Sequence, residues 1–126
     1  MITGIGLDLI EVSRVLKACE KESFLKRCYT ASEIELISKE RRKAADNFAV
    51  KEAVSKMLGT GFAGITLLEI EVLRDDKGKP FVNLYGKAAD LAKIQGITVI
   101  HVSISNTKDY ANAVAVGEHL CNGRLL

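Results

Sequence analysis

The chain has 126 residues, a formal net charge of +2 and 48% apolar residues. This length is typical of one domain, so we expect a single domain over residues 1–126. The small net charge argues against a nucleic-acid-binding protein, whose domains usually carry a strongly basic stripe. No apolar run approaches the roughly 20 residues that a membrane-spanning helix needs, so no membrane association is expected.

The start of the chain does not resemble a secretion signal, because Gly4, Gly6 and Asp8 interrupt the first apolar run and no basic leader precedes it. The three cysteines are scattered without a C-x-x-C pair, and there are only two histidines. A structural zinc site is therefore not expected. Free thiols are typical of a reducing compartment, so we expect a cytoplasmic protein.

A first strand is predicted over residues 4–11 (GIGLDLIE). Alternation along a strand places Ile5, Leu7 and Leu9 on one face and Asp8 on the other, together with two glycines. A carboxylate on a half-buried strand is costly if it remains charged and unpaired. Asp8 is therefore either a ligand of a cation or a residue that ends the strand and caps the next helix.

Three helices are predicted to follow. Ser13 is expected to cap the first, and residues 30–33 (TASE) have the capping-box spacing that begins the second. The third and longest helix spans about residues 42–58 and ends at Gly59, where a positive φ is expected. Its apolar stripe contains Glu52, a second carboxylate in an unfavourable place.

Two interpretations of Glu52 remain open. A divalent cation shared with Asp8 would offset the cost of both carboxylates, and magnesium usually takes one or two protein carboxylates, with water and phosphate oxygens in its other positions. Alternatively, Glu52 forms an ordinary i,i+4 pair with Lys56, which is worth about 0.2 to 0.5 kcal/mol.

The second half of the chain is predicted to contain more strand. Aliphatic and β-branched residues over 65–84 surround a turn at 75–80 (DDKGKP), which predicts a hairpin. Helical spacing over residues 87–95 ends at Gly96, two further strands follow, and the last residues are expected to fray. This order predicts an α+β fold with a mainly antiparallel sheet packed on the long helix.

Four motifs resemble, in order and spacing, the holo-(acyl-carrier-protein) synthases, which belong to the 4′-phosphopantetheinyl transferase superfamily. They are residues 4–11 (GIGLDLIE), 48–61 (FAVKEAVSKMLGTG), 78–80 (GKP) and 103–107 (SISNT). The resemblance covers essentially the whole chain, and the helix motif is its most specific part. It implies the 4′-phosphopantetheinyl transferase-like fold.

The resemblance also implies a reaction. The 4′-phosphopantetheine arm of coenzyme A is transferred to a serine of an apo acyl carrier protein, and adenosine 3′,5′-bisphosphate is released, as a step of fatty acid biosynthesis and so of lipid metabolism. Magnesium is the implied cofactor, with Asp8 and Glu52 as its ligands, and Lys56 matches a lysine that contacts the phosphates. The base that takes the serine proton is either Glu52 or a metal-bound water.

Further family contacts with coenzyme A match two segments of this chain. They are Gly59, Thr60, Gly61, Ser103, Ser105, Asn106 and Thr107. A plain helix stop explains Gly59 equally well, and ordinary strand polarity explains the serines. Asn106 stands where the family usually has histidine, and Asn47 where it often has arginine. Because asparagine carries no charge, we expect weaker binding of coenzyme A rather than lost activity.

Short members of the family are homotrimers with active sites between neighbouring subunits, so a homotrimer is expected, and the high apolar content agrees with buried subunit contacts. Carrier proteins are acidic helical bundles. The resemblance implies that they dock on Arg14, Lys17 and Arg27, with Arg14 the best match. Two other functions remain open, namely a non-catalytic coenzyme A or nucleotide-binding protein of the same fold and a magnesium-dependent phosphohydrolase that uses water as its nucleophile.

Overall fold

The first and last strands of the chain lie side by side in the computed structural model, which describes residues 1–121. In chain order the elements are β1 (Ile2–Glu11), α1 (Val12–Ala18), α2 (Glu22–Cys28), α3 (Ala31–Lys39), α4 (Lys43–Met57), a 3-10 helix (Leu67–Glu69), β2 (Ile70–Arg74), β3 (Pro80–Leu84), α5 (Gly86–Ile94), β4 (Val99–Asn106) and β5 (Tyr110–Glu118). None of the helices within residues 1–121 is long and apolar enough to cross a lipid bilayer.

Two antiparallel sheets are present in the described residues. One has three strands in the order β1-β5-β4, and the other is the hairpin of β2 and β3. The α+β class and the antiparallel pairing are confirmed, but the hairpin forms a sheet of its own rather than extending the first. On the outer side of the hairpin, the backbone of Val72 in β2 is bonded by the side chains of Asn47 and Glu33 rather than by another strand.

Helix α4 lies close against the three-stranded sheet because the facing residues are small. A Cβ added to Gly6 would lie 1.9 Å from the carbonyl oxygen of Ala53, and one added to Gly4 would lie 2.5 Å from that of Met57. Strand β5 faces the helix with alanines, which are Ala111, Ala113 and Ala115, all buried. This small-residue surface brings the side chains of α4 within reach of β1.

The opposite face of the same sheet is apolar and accessible. Ile5, Leu7 and Leu9 are 67%, 60% and 61% exposed, although all three are large aliphatic residues. In the strand register, Leu7 is paired with Val114 and Ile5 with Val116, so the valines of β5 continue the same apolar surface. We call these five residues the open sheet face.

A buried ion pair joins α4 to α3 and to the start of β2. Lys51 Nζ lies 2.7 Å from Glu33 Oε1, and both side chains are fully buried. Lys51 also donates to the carbonyl of Leu67, while the other carboxylate oxygen of Glu33 accepts from Asn47 and from the backbone of Val72. Burial raises the pKa of Glu33 and lowers that of Lys51, and the charge of each partner opposes the shift of the other. Polar groups that are costly to bury are thus paired with one another.

Several predicted boundaries are confirmed. The capping box at the start of α3 is present, since Thr30 Oγ1 accepts from Glu33 N and Glu33 Oε1 accepts from Thr30 N. Helices α4 and α5 begin and end within one residue of the expected positions, and Gly59 and Gly96 have φ values of +82° and +74°.

Three predictions differ from the structure. Ser13 does not cap α1, because β1 continues to Glu11 and the helix begins at Val12 without a side-chain cap. The seven-residue helix α2 was not expected, since so short a helix shows little periodicity. The hairpin strand begins at Ile70, after a 3-10 helix, rather than at Ile65. The expected fraying of the last residues lies outside the described residues.

Candidate active site

Asp8 lies in the middle of β1 on the face that packs against α4. Because the strand continues to Glu11, Asp8 neither ends it nor caps a helix, which removes the structural alternative considered for this residue. Its side chain is only 14% exposed. A carboxylate this well covered requires a cationic partner or hydrogen-bond donors.

Lys56, near the end of α4, supplies that partner. Its Nζ lies 2.9 Å from Asp8 Oδ1 and 3.0 Å from the carbonyl oxygen of Leu7. The lysine therefore pairs with Asp8 across two elements rather than with Glu52 along its own helix. The hydrogen bond to Asp8, together with the charge of that carboxylate, raises the pKa of Lys56, so the lysine remains protonated at neutral pH.

The carbonyl of Leu7 lies at the free edge of the sheet. Val12 N donates to Asp109 O at 2.9 Å, and hydrogen-bonded pairs recur at every second residue of an antiparallel ladder. Asp8 therefore bonds to Ala113 of β5, while the backbone groups of Leu7 point away from β5. Lys56 thus lies at the accessible rim of the sheet.

Glu52 lies one turn before Lys56 and is partly buried. Burial raises the pKa of Glu52, the negative charge of Asp8 raises it further, and the charge of Lys56 opposes both effects. Glu52 and Lys56 are four residues apart on α4, so the ammonium that pairs with Asp8 projects from the same face of the helix as Glu52. Two carboxylates whose charges repel in a partly desolvated place are typical of functional sites.

The donor atoms of this cluster fit magnesium better than zinc. Asp8 and Glu52 offer only carboxylate oxygens, and residues 1–121 contain no group of three or more histidine, cysteine, aspartate or glutamate side chains suited to a metal. Zinc in a protein prefers nitrogen and sulfur ligands. Magnesium takes one or two carboxylates and completes its shell with water and phosphate oxygens. The ammonium of Lys56 shows that a cation at Asp8 is electrostatically favourable.

The glycine loop after α4 mainly ends the helix. Gly59 N donates to Lys56 O at 2.9 Å and Gly61 N donates to Ser55 O at 3.2 Å, so both amides are used by carbonyls of the last helical turns. This favours the helix-stop interpretation of Gly59 over a phosphate-binding one. Thr60, whose hydroxyl donates to the carbonyl of Gly61, lies in the same turn, close in sequence to Lys56.

Of the four predicted residues of β4 and its turn, Ser103 and Ser105 line a pocket with Leu7 on the open sheet face, whereas Asn106 and Thr107 lie near the start of α4. Ser103 and Ser105 are exposed, while Asn106 donates to Asp46 at the start of α4 at 3.1 Å. The hydroxyl of Thr107 accepts from the backbone of Tyr110. Asp46 is ten residues from Lys56, which corresponds to about 15 Å along a helix. A single chain therefore carries two clusters rather than one site.

A cationic groove adjoins the second cluster, and sequence reasoning did not identify it. The groove has a volume of about 300 Å³ and is lined by Lys43, Arg74 and Lys79 together with Asp46 and Asn106. Burial lowers the pKa of Arg74, although the charge of Asp46 opposes this, and its Nη2 has no hydrogen-bond partner among the described residues. The three cations come from the start of α4, the end of β2 and the hairpin turn. The GKP motif indicated Lys79 and the SISNT motif indicated Ser103 and Asn106, whereas no motif contains Lys43 or Arg74.

The proposed docking residues share one surface. Arg14, Lys17 and Arg27 line a groove of about 720 Å³ between α1 and α2, and the guanidinium of Arg27 lies 5.7 Å from the ring centre of Phe24. An apolar pocket of about 430 Å³ is continuous with it, since Arg14 and Phe24 line both. We call the two together the basic groove.

Asn47 does not lie at either cluster. It is fully buried and donates to Glu33 at 3.0 Å and to the carbonyl of Val72 at 2.9 Å. The side chain of Asn47 therefore has no access to a ligand, and the expected loss of a phosphate contact at this position stays a prediction. The sequence motif indicated the position but not the direction of the side chain.

Comparison with known proteins identifies relatives over nearly the whole chain. Residues 4–115 match the 4′-phosphopantetheinyl transferase superfamily. The holo-(acyl-carrier-protein) synthase of Lachnoclostridium phytofermentans is 58% identical over 118 residues, which cover 94% of this chain and 97% of that protein.

Solved structures agree with these relatives. Plasmodium yoelii acyl carrier protein synthase with ADP bound is 33% identical to this chain and superimposes with a TM-score of 0.85. The match covers 96% of this chain and 98% of that protein. The Helicobacter pylori holo-(acyl-carrier-protein) synthase in complex with coenzyme A is 32% identical to this chain and superimposes with a TM-score of 0.79. The match covers 90% of this chain and 99% of that protein.

Proposed function

Because the chain belongs to the 4′-phosphopantetheinyl transferase superfamily, we propose that it transfers the 4′-phosphopantetheine arm of coenzyme A to a serine of an apo acyl carrier protein. The observation that carries this proposal is the cluster of Asp8, Glu52 and Lys56 at the rim of the sheet. This cluster offers two carboxylates for a cation and one ammonium for phosphate, which are the groups that transfer from a pyrophosphate requires.

The transfer is a displacement at phosphorus. The serine oxygen forms a bond to the phosphorus that bears pantetheine, and the bond from that phosphorus to the bridging oxygen of the pyrophosphate breaks. The leaving group is adenosine 3′,5′-bisphosphate, which takes the electron pair of the broken bond. The serine proton passes to a base, either Glu52 or a water that it orients.

The residues of the cluster have distinct tasks in this step. Asp8 and Glu52 would hold magnesium, which supplies charge neutralisation of the pyrophosphate when bound. The protonated Lys56, half exposed at the rim, is within reach of the same phosphates and stabilises the negative charge that develops on their oxygens. Glu52, whose pKa is raised by burial and by Asp8, is better suited to accept a proton than an ordinary exposed glutamate.

The cationic groove is proposed to bind the nucleotide part of coenzyme A. Lys43, Arg74 and Lys79 offer three positive charges, and Nη2 of Arg74 is a donor that has no acceptor within residues 1–121. Phosphate groups are suitable acceptors, because guanidinium groups bind them with paired hydrogen bonds. Asn106 lies in the same groove and contributes a neutral amide, and Ser103 lines it as well.

We further propose that the active site is completed between subunits of a homotrimer. Two observations support this. The open sheet face exposes three large aliphatic side chains, which is unusual for a protein that acts as a monomer. The catalytic cluster and the nucleotide groove lie near opposite ends of α4, about 15 Å apart, so the groove of one subunit can serve the cluster of the next.

The acyl carrier protein is proposed to dock on the basic groove. Arg14, Lys17 and Arg27 complement an acidic partner, and the adjoining apolar pocket can accept an apolar side chain of the docked helix. The apolar pocket lies next to the cluster of Asp8, Glu52 and Lys56, because Leu9, which lines the pocket, follows Asp8 on strand β1. The unpaired thiols of Cys19 and Cys28 favour the cytoplasm as the place of this reaction.

Intact-mass analysis of apo acyl carrier protein tests the proposal. The carrier is incubated with coenzyme A, magnesium and either the wild-type chain, Asp8→Asn, Glu52→Gln or the control Asp90→Asn, which changes an exposed carboxylate on α5. We expect a phosphopantetheine mass gain with the wild-type chain and the control, and at least a hundredfold slower gain with the other two. Coenzyme A binding without a mass gain would indicate a non-catalytic binding protein. Carrier-independent release of phosphopantetheine would indicate a hydrolase.

A further inference from the structure

We infer that Lys56 is an internal competitor for the metal: its ammonium holds Asp8 in the free protein and is transferred to the phosphates of coenzyme A when the substrate binds. This inference rests on the proposed function for the identity of the substrate. It predicts a property of the free protein, however, that can be measured without any turnover.

The position of the ammonium carries the first step. Lys56 Nζ is 2.9 Å from Asp8 Oδ1 and 3.0 Å from the carbonyl oxygen of Leu7. A magnesium ion on Asp8 would lie about 2.0 to 2.1 Å from the same carboxylate. Two cations so close to one carboxylate repel each other, so the ammonium must withdraw when the metal binds.

The exposures of the two partners show which of them can move. The side chain of Lys56 is 51% exposed, whereas that of Asp8 is 14% exposed and is attached to a paired strand. The long lysine chain can therefore turn toward solvent or toward a bound anion while Asp8 remains in place. Because the lysine side of the pair is half exposed, its ammonium can leave Asp8 for another anion without being buried on the way.

Substrate binding makes this exchange of partners by Lys56 favourable. A pyrophosphate carries more negative charge than one carboxylate, so the ammonium of Lys56 is better placed on the phosphates once they are present. Removing the ammonium from Asp8 leaves that carboxylate available to the metal. Metal and coenzyme A should therefore bind with positive coupling, and linkage requires that each raises the affinity of the other by the same factor.

Binding of Mn²⁺ to the full chain, followed by the electron paramagnetic resonance signal of free Mn²⁺, tests the inference. The proteins are the wild type, Lys56→Met, Lys56→Arg and the control Lys39→Met, which removes an exposed cation on α3 that is paired only with a glutamate on its own helix. Without coenzyme A, we expect Lys56→Met to bind Mn²⁺ roughly three- to tenfold more tightly than the wild type. Lys56→Arg and Lys39→Met should show no such gain.

The second measurement repeats the titration at saturating coenzyme A. The wild type should gain more Mn²⁺ affinity from coenzyme A than Lys56→Met does, because only the wild type has a competitor to displace. Equal or weaker Mn²⁺ binding by Lys56→Met in the free protein would overturn the inference, as would an equal gain in Lys39→Met. If either result is found while the wild type still transfers phosphopantetheine to acyl carrier protein, the inference fails but the proposed function stands. Absence of Mn²⁺ binding in every protein would overturn the metal site and the inference together.

Discussion

Replacing Gly6 by alanine should damage the protein more than any other single methyl group added to the sheet. The new Cβ would lie 1.9 Å from Ala53 O and 2.7 Å from Met57 N, and both atoms belong to the backbone of α4. An ordinary contact begins near 3.4 Å, so helix and strand must separate by about 1.5 Å. A backbone cannot relieve such a clash by a change of rotamer.

Gly117→Ala is the matched control. The glycine also lies in the three-stranded sheet and is buried, but its added Cβ would meet only side-chain atoms, which are Ile97 Cδ1 at 3.1 Å, Met57 Sδ at 3.1 Å and Thr3 Oγ1 at 3.2 Å. Those side chains can move aside. Overpacking costs about 1 to 3 kcal/mol, so we expect about 3 kcal/mol or more for Gly6→Ala and about 1 kcal/mol for Gly117→Ala.

The assay is urea unfolding followed by far-ultraviolet circular dichroism, with all proteins at one concentration because association shifts apparent stability. A second readout is transferase activity under conditions where each variant is folded. Displacement of α4 separates Lys56 and Glu52 from Asp8, so Gly6→Ala should lose activity even when folded, whereas Gly117→Ala should keep it. Our account of the packing between helix and sheet fails if Gly6→Ala costs no more free energy than Gly117→Ala.

Four further predictions concern other parts of the structure. Glu33→Gln leaves the buried ammonium of Lys51 without a counter-charge, so the free energy of unfolding should fall by about 3 to 5 kcal/mol in urea titrations. Leu7→Asp places a charge on the open sheet face and should convert the proposed homotrimer to monomers in analytical ultracentrifugation, with loss of activity. Carboxyl nuclear magnetic resonance of the metal-free protein should show that Asp8→Asn lowers the pKa of Glu52, because a repelling charge is removed. Since the folded-state pKa of Glu52 is raised above its ordinary value of 4.5, the free energy of unfolding should decrease as the pH rises from 4.5 to the raised pKa, because the unfolded chain loses this proton first.

Each of these predictions has a control or a contrary outcome. Glu35→Gln changes an exposed glutamate on the same helix as Glu33 and should cost less than about 0.5 kcal/mol. Leu68→Asp introduces the same charge on the exposed part of the 3-10 helix and should leave the assembly unchanged. A trimer that persists in Leu7→Asp would contradict the role of the open sheet face. An unchanged Glu52 pKa in Asp8→Asn would show that the two carboxylates do not interact.

The sequence predicted those elements whose periodicity and end signals agree. The capping box of residues 30–33, the long helix with Gly59 at its end and the two final strands all combine a clear period with a stop signal. Helix α2 was missed because seven residues give too few repeats for a period to be recognised. The separation of the hairpin into its own sheet depends on the buried polar contacts of Glu33, which join parts of the chain 39 residues apart. No local pattern reports such contacts.

The candidate site was predictable where a residue contradicts its local pattern. Asp8 among apolar and glycine residues and Glu52 on an apolar stripe were recognisable for that reason, and the structure brings both to one cluster with Lys56. The cationic groove was not recognisable, since Lys43, Arg74 and Lys79 are ordinary surface residues in their own segments. The buried contacts of Asn47 were not predictable, because the residue type gives no indication of which side of α4 it occupies.

The contact between Lys56 and the carbonyl of Leu7 also bears on how the chain avoids aggregation. Strand β1 is an edge strand with a stripe of exposed aliphatic side chains, a combination that favours pairing with the edge of another molecule. The ammonium at Leu7 O takes one of the free acceptors of that edge and places a charge beside it. Lysine at an edge is a common protection against such pairing. The side chain that we propose to bind phosphate should therefore also protect this edge of the sheet, and we expect a variant that lacks it to aggregate more readily than the wild type.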